Sequence, residues 1–458
     1  MGQVDDENRL TKWHVGFKLG GNISKFDTKD TFIPNITPRN KMGIAISGLA
    51  SYDLHRNVSL VSGINLTTRG YRLMNDTVAI DNKIKQTFAS VQIPLGFSFR
   101  QHPSPSSSNF FSEEIGGVLN YSFRKGNISF GKDNIVWGYG ENSNIVLSNK
   151  VPSNPYIRLD YKPFKWLNFN YTHAWLNSNI VDSSLSYLTN SGRIDNDFRL
   201  VFVQKYLATH SIEVEAMKGL NIAIGESIVY SDKMDPGFLI PINLFKFYDN
   251  NRSNYLIEAG SNGQYFLSAS SRNQIKNTHL YSTLFIDEIK VSSIFNKTES
   301  RNQLGYNLGG SITDVFIPYL SLGAEYTRVN PFVYSNLIPA QTYTSYNYSL
   351  GDWMGNNFDK AIVFAKYTPM AKLKLVARYQ KIRKGGAGTI YQQYAVQPQP
   401  SFLSYYIKTR SDIFLQARYE YINNIYLTSS LTLMQTKLAN GNLVKDNTYQ
   451  LGISVGLP

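Results

Sequence analysis

The sequence contains no cysteine, so neither a disulfide nor a thiolate metal site is available to it. It has no run of about 18 or more apolar residues, which excludes a membrane-spanning helix. Its most apolar long segment, Phe238 to Phe247, is interrupted by Pro241, Asn243 and Lys246. Histidine is scarce. The six histidines form no pair four residues apart and no HExxH, so a zinc hydrolase of that kind is not expected. There is no GxSxG elbow. Lys384-Gly385-Gly386-Ala387-Gly388 has no helix pattern after it, as a phosphate cradle would need. Glu113 and Glu114 are adjacent, so on a strand they face opposite sides and make a poor glycosidase pair. A catalytic role and a cofactor are therefore not expected. The first residues, MGQVDDENRL, lack an apolar export segment, as in a mature chain, and residues 1–12 are expected to be disordered.

Acidic residues are outnumbered, 33 against 46 basic ones, for a net charge of +13. That balance can mark nucleic-acid binding. Here the basic residues stand singly between apolar ones, not in a stripe, so nucleic acid is not an expected partner. A basic lumen or rim that attracts anionic sugars or lipopolysaccharide phosphates fits better.

Aromatic residues are plentiful, with 31 Tyr and 26 Phe, yet the mean hydropathy is only −0.27. The dominant pattern is alternation. Trp13 to Leu19, Ala89 to Phe99, Ile157 to Tyr161, Leu167 to Tyr171, Leu220 to Ile224, Ile362 to Tyr367, Leu373 to Tyr379 and Ile413 to Tyr421 all alternate apolar with polar or small residues. Each is a strand with one apolar and one polar face. Alternation alone does not distinguish a soluble sandwich from a membrane barrel, whose apolar face is outside. Three features favour the barrel. Arg158, Asp160 and Lys162 lie mid-strand on the polar face, as a wet lumen permits. Tight turns at Pro163-Phe164-Lys165 and Lys218-Gly219 alternate with long loops. Aromatics such as Tyr156, Trp166, Trp175 and Tyr421 crowd strand ends, where an interface belt belongs. The expectation is an all-β chain, with 13–458 forming one transmembrane antiparallel β-barrel of about 16–18 strands with long extracellular loops. It would sit in the outer membrane of a Gram-negative bacterium, in contact with the lipid bilayer and lipopolysaccharide, with a monomeric state left open. The last strand, Tyr449 to Pro458, alternates to the terminus like a barrel insertion signal but ends in Leu-Pro.

Two segments gather side chains suited to a ligand. In the first, FGKDNIVWGYG (130–140) runs on through 145–152 and 155–159. Its glycines permit turns, Trp137 and Tyr139 offer flat faces, and Asp133, Asn149 and Arg158 supply polar groups. Sugars need that combination; the alternative is a loop folded into the lumen as a plug, with Trp137 merely buried. The second segment runs from Glu325 to Tyr334 and on to Asp359, with Tyr346 among six aromatics between Phe332 and Trp353. Its Arg328 is expected either to pair with Glu226 or Glu325 across the lumen or to grip a uronate or phosphate.

The order FGKDNIVWGYG…IVLSNKVPSNPYIRL, KYLATHSIEVEAMKGLNIAIGESIVY and EYTRVNPFVYS…YTSYNYSLGDWMGNNFD resembles the Wzi family of capsule-assembly proteins over residues 115–385, and 115–458 are taken as Wzi-like strands. Family members typically show Gly-Arg-Asp where this chain has Gly131-Lys132-Asp133, and Trp-Gly-Pro-Gly where it has Trp137 to Gly140. The resemblance implies an outer-membrane barrel that binds capsular polysaccharide. The block at 13–100, with Gly16 to Phe26 as its opening strand, is similar to PorT-like outer-membrane barrels. Three functions follow: polysaccharide binding for capsule assembly, a solute channel, or a structural subunit of an export machinery. The candidate ligand-binding residues are Asp133, Trp137, Tyr139, Asn149, Arg158, Glu226, Arg328, Tyr334 and Tyr346.

Overall fold

The computed structural model describes the backbone of eight strands within residues 13–113, and residues 117–189, 198–255, 260–288, 302–388, 392 and 400–455. Residues 1–12, expected to be disordered, lie outside the described residues. The N-terminal strands are β1 (Trp13–Asp27), β2 (Lys41–His55) and β3 (Val58–Arg69). β4 (Gly117–Phe123), β5 (Gly126–Asp133), β6 (Asn154–Phe164), β7 (Leu167–Val181), β8 (Phe202–Met217) and β9 (Leu220–Ser231) follow. Next come β10 (Asn262–Arg272), β11 (Thr278–Glu288), β12 (Gln303–Thr313), β13 (Leu320–Val329) and β14 (Phe358–Met370). β15 (Leu373–Gly385), β16 (Tyr406–Ile422), β17 (Ile425–Leu438) and β18 (Leu443–Val455) complete the series.

Each strand pairs antiparallel with the next, and β18 returns to β1, from Asp27 opposite Lys445 to Phe17 opposite Val455. That seam closes the sheet into a barrel. Among the described residues the sheet holds 20 strands; two short ones, Phe88–Gln92 and Phe110–Glu113, pair in parallel beside β3 and lie off the ring. Setting them aside leaves eighteen in the ring, within the expected 16–18.

At one end the strands are joined by tight turns, including Lys218-Gly219 and Ala371-Lys372. At the other end lie long connections such as 134–153, 232–261, 330–357 and 386–405. In outer-membrane barrels the short turns are periplasmic and the long loops extracellular. The turn expected at Pro163-Phe164-Lys165 is instead Lys165-Trp166. The β6–β7 register shifts between Tyr161 and Phe164, so Pro163, which has no N–H to donate, is accommodated within the strand.

The apolar face points outward. On β9, Ile222 and Ile224 are 42% and 61% exposed, while inward Ala223 and Ser227 are buried. Leu267, Leu308, Val363, Ile413 and Leu415 extend the exposed apolar wall. A water-soluble sandwich would bury these side chains. In a barrel they face lipid.

One part of the outer wall is covered. The β9–β10 connection leaves the rim, forms a short 3-10 turn (Pro236–Leu239) and then α1 (Phe245–Tyr255). It packs Phe238 and Phe245 over Tyr171, Tyr206, Ala208, Ile228 and Tyr230 of β7, β8 and β9. The Tyr171 hydroxyl donates to the Phe238 carbonyl at 2.9 Å. Asp235 caps the turn by accepting from Gly237 N–H at 2.8 Å, and it accepts from Tyr248 and Arg252 as well. Beneath this flap Glu226 faces outward from β9 and is buried. It stands opposite His210 in the register and accepts from the Phe245 and Lys246 N–H groups of the first turn of α1. A carboxylate suits a helix N-terminus, whose first N–H groups have no partner within the helix. The expected pairing of Glu226 with Arg328 across the lumen is therefore overturned, because Glu226 points away from the lumen.

Replacing Glu226 with Ala should release α1 from the wall, at a cost of about 1–2 kcal/mol. Hydrogen exchange of the amides at 245–248 should then quicken about tenfold. Unchanged exchange in the variant would show that the apolar packing alone holds the flap.

Candidate functional site

The lumen is filled on one side by two extracellular loops. Residues 134–153 descend from the ends of β5 and β6, and residues 330–357 fold in from β13 and β14 to meet them. Ile145, Val146, Leu147 and Val151 of the first loop pack against Val333, Tyr334, Tyr343 and Leu350 of the second. Phe266, Phe285, Val329, Phe358 and Ile382 of the wall complete this core. Hydrogen bonds join the loops: Ser148 N–H donates to the Leu350 carbonyl at 2.8 Å, and the Tyr334 hydroxyl donates to the Ile145 carbonyl at 2.6 Å.

The first loop turns sharply below Trp137. Gly138 has φ +136°, and a Cβ on Gly140 would meet the Ser143 carbonyl oxygen at 1.8 Å, so both positions require glycine. The tip, residues 139–142, reaches toward the periplasmic half of the lumen and is tied to the wall by charge. The Tyr139 hydroxyl donates to Glu213 on β8. Burial, then this hydrogen bond and the negative charge of Glu213, raise the phenol pKa, so Tyr139 stays a donor. Glu141 accepts from Ser311 of β12 at 2.7 Å and Lys366 of β14 at 2.6 Å, and lies 3.2 Å from His279 Nδ1 of β11. Burial alone raises the Glu141 pKa. The hydrogen bonds from Lys366, Ser311 and His279 outweigh it and hold the carboxyl below its ordinary value. Asn142 N–H donates to Glu325 of β13 at 2.9 Å, and Glu325 also accepts from Tyr281 and Asn307. The second loop is pinned by Asp352, which accepts from Lys360 of β14 at 2.5 Å with both side chains almost fully buried.

The sequence candidates separate in this arrangement. Trp137 is half-buried, forms an isolated bridge with Leu147, and packs on Phe266 with ring centroids 4.4 Å apart. It shares with Arg158, Asn170, Thr209 and Ser211 a lumen recess of about 10 Å³. That is room for one water and not for a sugar ring. Arg158 bonds Asp160, two residues along its own strand. Tyr139 is a tether, and Tyr334 is fully buried as the hinge between the loops. Asp133 and Asn149 are exposed at the extracellular end, and Tyr346 is half-buried there, its N–H donating to the Asn177 carbonyl. Arg328 alternates to the outer face. Its guanidinium lies 3.7 Å from the centroid of the Phe402 ring, and its Nε donates to Asn330. It reaches neither Glu226 nor Glu325, because Glu325 is an odd number of residues away and faces the lumen.

Sequence reasoning missed Glu141, Glu213, His279, Ser311, Lys360 and Lys366, the anchors of the plug. Each is one polar residue in an alternating strand or an unmarked loop, and nothing local signals that they converge.

Lys360→Met should strand the buried Asp352 carboxylate and cost about 3–5 kcal/mol, seen as a lower denaturant midpoint. The double change Lys360→Met with Asp352→Leu should recover most of that loss, and no recovery would mean the pair is not coupled. A second test uses pH. Because Glu141 is held below its ordinary value, its contribution is complete above the unfolded-state value. It is lost as pH falls through the lowered one. Amide exchange at 139–142 should therefore accelerate in acid, and Glu141→Gln should show the fast exchange already at neutral pH.

Comparison with known proteins agrees with this architecture. Residues 1–172 match the family model described as outer membrane protein beta-barrel domain. No curated protein matches the chain. Among solved structures the chain is similar to Wzi of Escherichia coli, described as a carbohydrate-binding β-barrel involved in group 1 capsule assembly. The TM-score is 0.57 at 12% identity, covering 96% of this chain and 84% of that one. It is also matched to Pseudomonas aeruginosa OprD, with TM-score 0.47, 10% identity, and 97% and 95% of the two chains covered. The match to OpdO of the same organism has TM-score 0.47 and 10% identity, with 98% of each chain covered. Closed ring, outward apolar wall, the family model over residues 1–172 and the fold shared with the Escherichia coli barrel agree: the chain is a β-barrel of the outer membrane.

Proposed function

We propose that this barrel binds surface or capsular polysaccharide at its extracellular mouth and assists capsule assembly, without catalysis. The observation that supports this reading most directly is the two-loop plug. It is sealed by an apolar core and tethered by buried charge, and it gives that side of the mouth a fixed surface. That surface carries exposed aromatic faces, Tyr348 at 56% and Trp353 at 40%, with Asn149 and Lys150 exposed on the neighbouring loop. Aromatic faces take the C–H faces of sugars, while amide and ammonium groups meet hydroxyls and carboxylates. The similarity to a barrel described as carbohydrate-binding is consistent with it. Asp133, Asn149 and Tyr346 remain candidates at this surface. Trp137, Tyr139, Arg158 and Tyr334 would act indirectly, by holding its shape.

A second reading, a solute channel, is favoured by one feature. The register turns Lys374, Arg378, Arg410 and Arg418 of β15 and β16 toward the lumen; Arg410 lies over the Trp353 ring, and Lys374 is exposed. An anion path could run along that side.

Tyr348→Ala with Trp353→Ala should weaken binding of purified capsular polysaccharide about tenfold or more, at unchanged heat-modifiable gel migration. Wild-type barrels in planar bilayers should conduct poorly. Normal polysaccharide binding by the double variant, together with a large steady anion conductance, would favour the channel.

A further inference from the structure

Side chains alternate along β15, and Ala377 and Tyr379 face the lipid. The same face continues to Lys381 and Arg383 near the extracellular end. The pairing register carries that face across the neighbouring strands. Arg383 stands opposite Asp359 of β14 and Thr409 of β16; Asp359 stands opposite Arg328 of β13, and Thr409 opposite Lys437 of β17. Four cations, Arg328, Lys381, Arg383 and Lys437, thus lie on the outside of the barrel, each within five residues of the extracellular end of its strand. Lys381 and Lys437 are exposed, and the Arg383 side chain is 50% exposed. Among the described residues of β13 to β17, Asp359 is the acid on this outer face. It is already engaged by Arg383 and the Tyr326 hydroxyl.

Their depth is informative. Directly toward the periplasm, the same strands expose Val363, Tyr379, Ile413 and Leu415, the apolar band that meets hydrocarbon. Outward cations are costly at the midplane of a bilayer and nearly free at its edge. Elsewhere on the wall the outward carboxylate Glu226 is roofed by α1. Among the described residues these four cations have no such roof beyond the Phe402 ring that lies on Arg328, and exposed Tyr405 and Tyr406 flank them as an interface belt would. The patch is continuous with the lipid-facing wall and carries a surplus of positive charge.

We propose that this rim of β13–β17 binds the phosphorylated headgroup of the outer-leaflet glycolipid, the lipid A of lipopolysaccharide. Lys381 and Lys437 would meet its phosphate from the protein side, and the apolar band beneath would receive the acyl chains. The inference rests on the outer-membrane location and not on the polysaccharide reading, so either can fail without the other.

The test titrates purified full-length barrel in neutral detergent with lipid A, with dephosphorylated lipid A and with inorganic phosphate. Lipid A should bind. Lys381→Gln with Lys437→Gln should weaken it about twenty-five-fold, at about fivefold for each charge near the membrane surface. Lys218→Gln with Lys276→Gln, at periplasmic turns, should leave it unchanged. Dephosphorylated lipid should bind about as weakly as the rim variant does lipid A, and inorganic phosphate more weakly still. Heat-modifiable migration confirms that each variant is a folded barrel. Undiminished lipid A binding by the folded rim variant would overturn the proposal. So would equal binding of the dephosphorylated lipid, or inorganic phosphate binding as tightly as lipid A.

Discussion

The structure depends first on closure. In hydrocarbon no water is available to satisfy a free N–H or C=O, so a sheet can cross a bilayer only if its first and last strands meet. The β1–β18 seam does this with an unbroken register from Phe17–Val455 to Asp27–Lys445. Everything else follows from the ring. Alternation along each strand acquires an inside and an outside, the apolar set must face lipid, and the polar set encloses a volume that something can occupy.

Closure also makes charge placement demanding, and the chain meets the demand in three ways. Within the lumen, charged groups tie the plug to the wall, as Glu141 does with Lys366 and Asp352 with Lys360. On the outer wall, Glu226 is covered by the flap and used as the acceptor for the first turn of α1. At the extracellular rim, Arg328, Lys381, Arg383 and Lys437 lie beyond the apolar band. The flap and the plug are counterparts, since each is an extracellular loop folded back on the barrel, one outside and one inside. The flap keeps Ile242, Leu244 and Phe247 on its own exposed surface, 80%, 63% and 66% accessible, and so hands the lipid an apolar face in place of the one it covers. The plug hides its apolar residues in the lumen, where a polar wall would otherwise surround water.

The plug sets what the molecule can do. A core made from both loops and the wall, with tethers on β8, β11, β12, β13 and β14, joins the wall across a wide arc. Such a network favours a rigid mouth over a gate that opens freely, because several buried or half-buried charge pairs must break together.

Much of the fold was legible from residue order alone. Period-2 alternation in segments such as 157–161 and 220–224 specified strands, the absence of long apolar runs excluded helical spans, and Lys218-Gly219 marked a tight turn. Those features are local, so the sequence determined them by itself: strand period, turn chemistry, and the glycines at 138 and 140 that the plug needs. Which face became the outside was decided by closure, since Ile222 and Ile224 would suit a buried sandwich equally well. The partners of charged side chains were likewise a tertiary matter. Arg328 and Glu226 looked like a lumen pair, yet one stacks on Phe402 at the rim and the other caps α1. One step of register reverses the direction of a side chain, and no local signal says which distant strand will stand opposite. Glu141, Ser311 and Lys366 converge for the same reason: three ordinary polar residues become one anchor only when β12 and β14 curve around the loop that Gly138 and Gly140 bend between them.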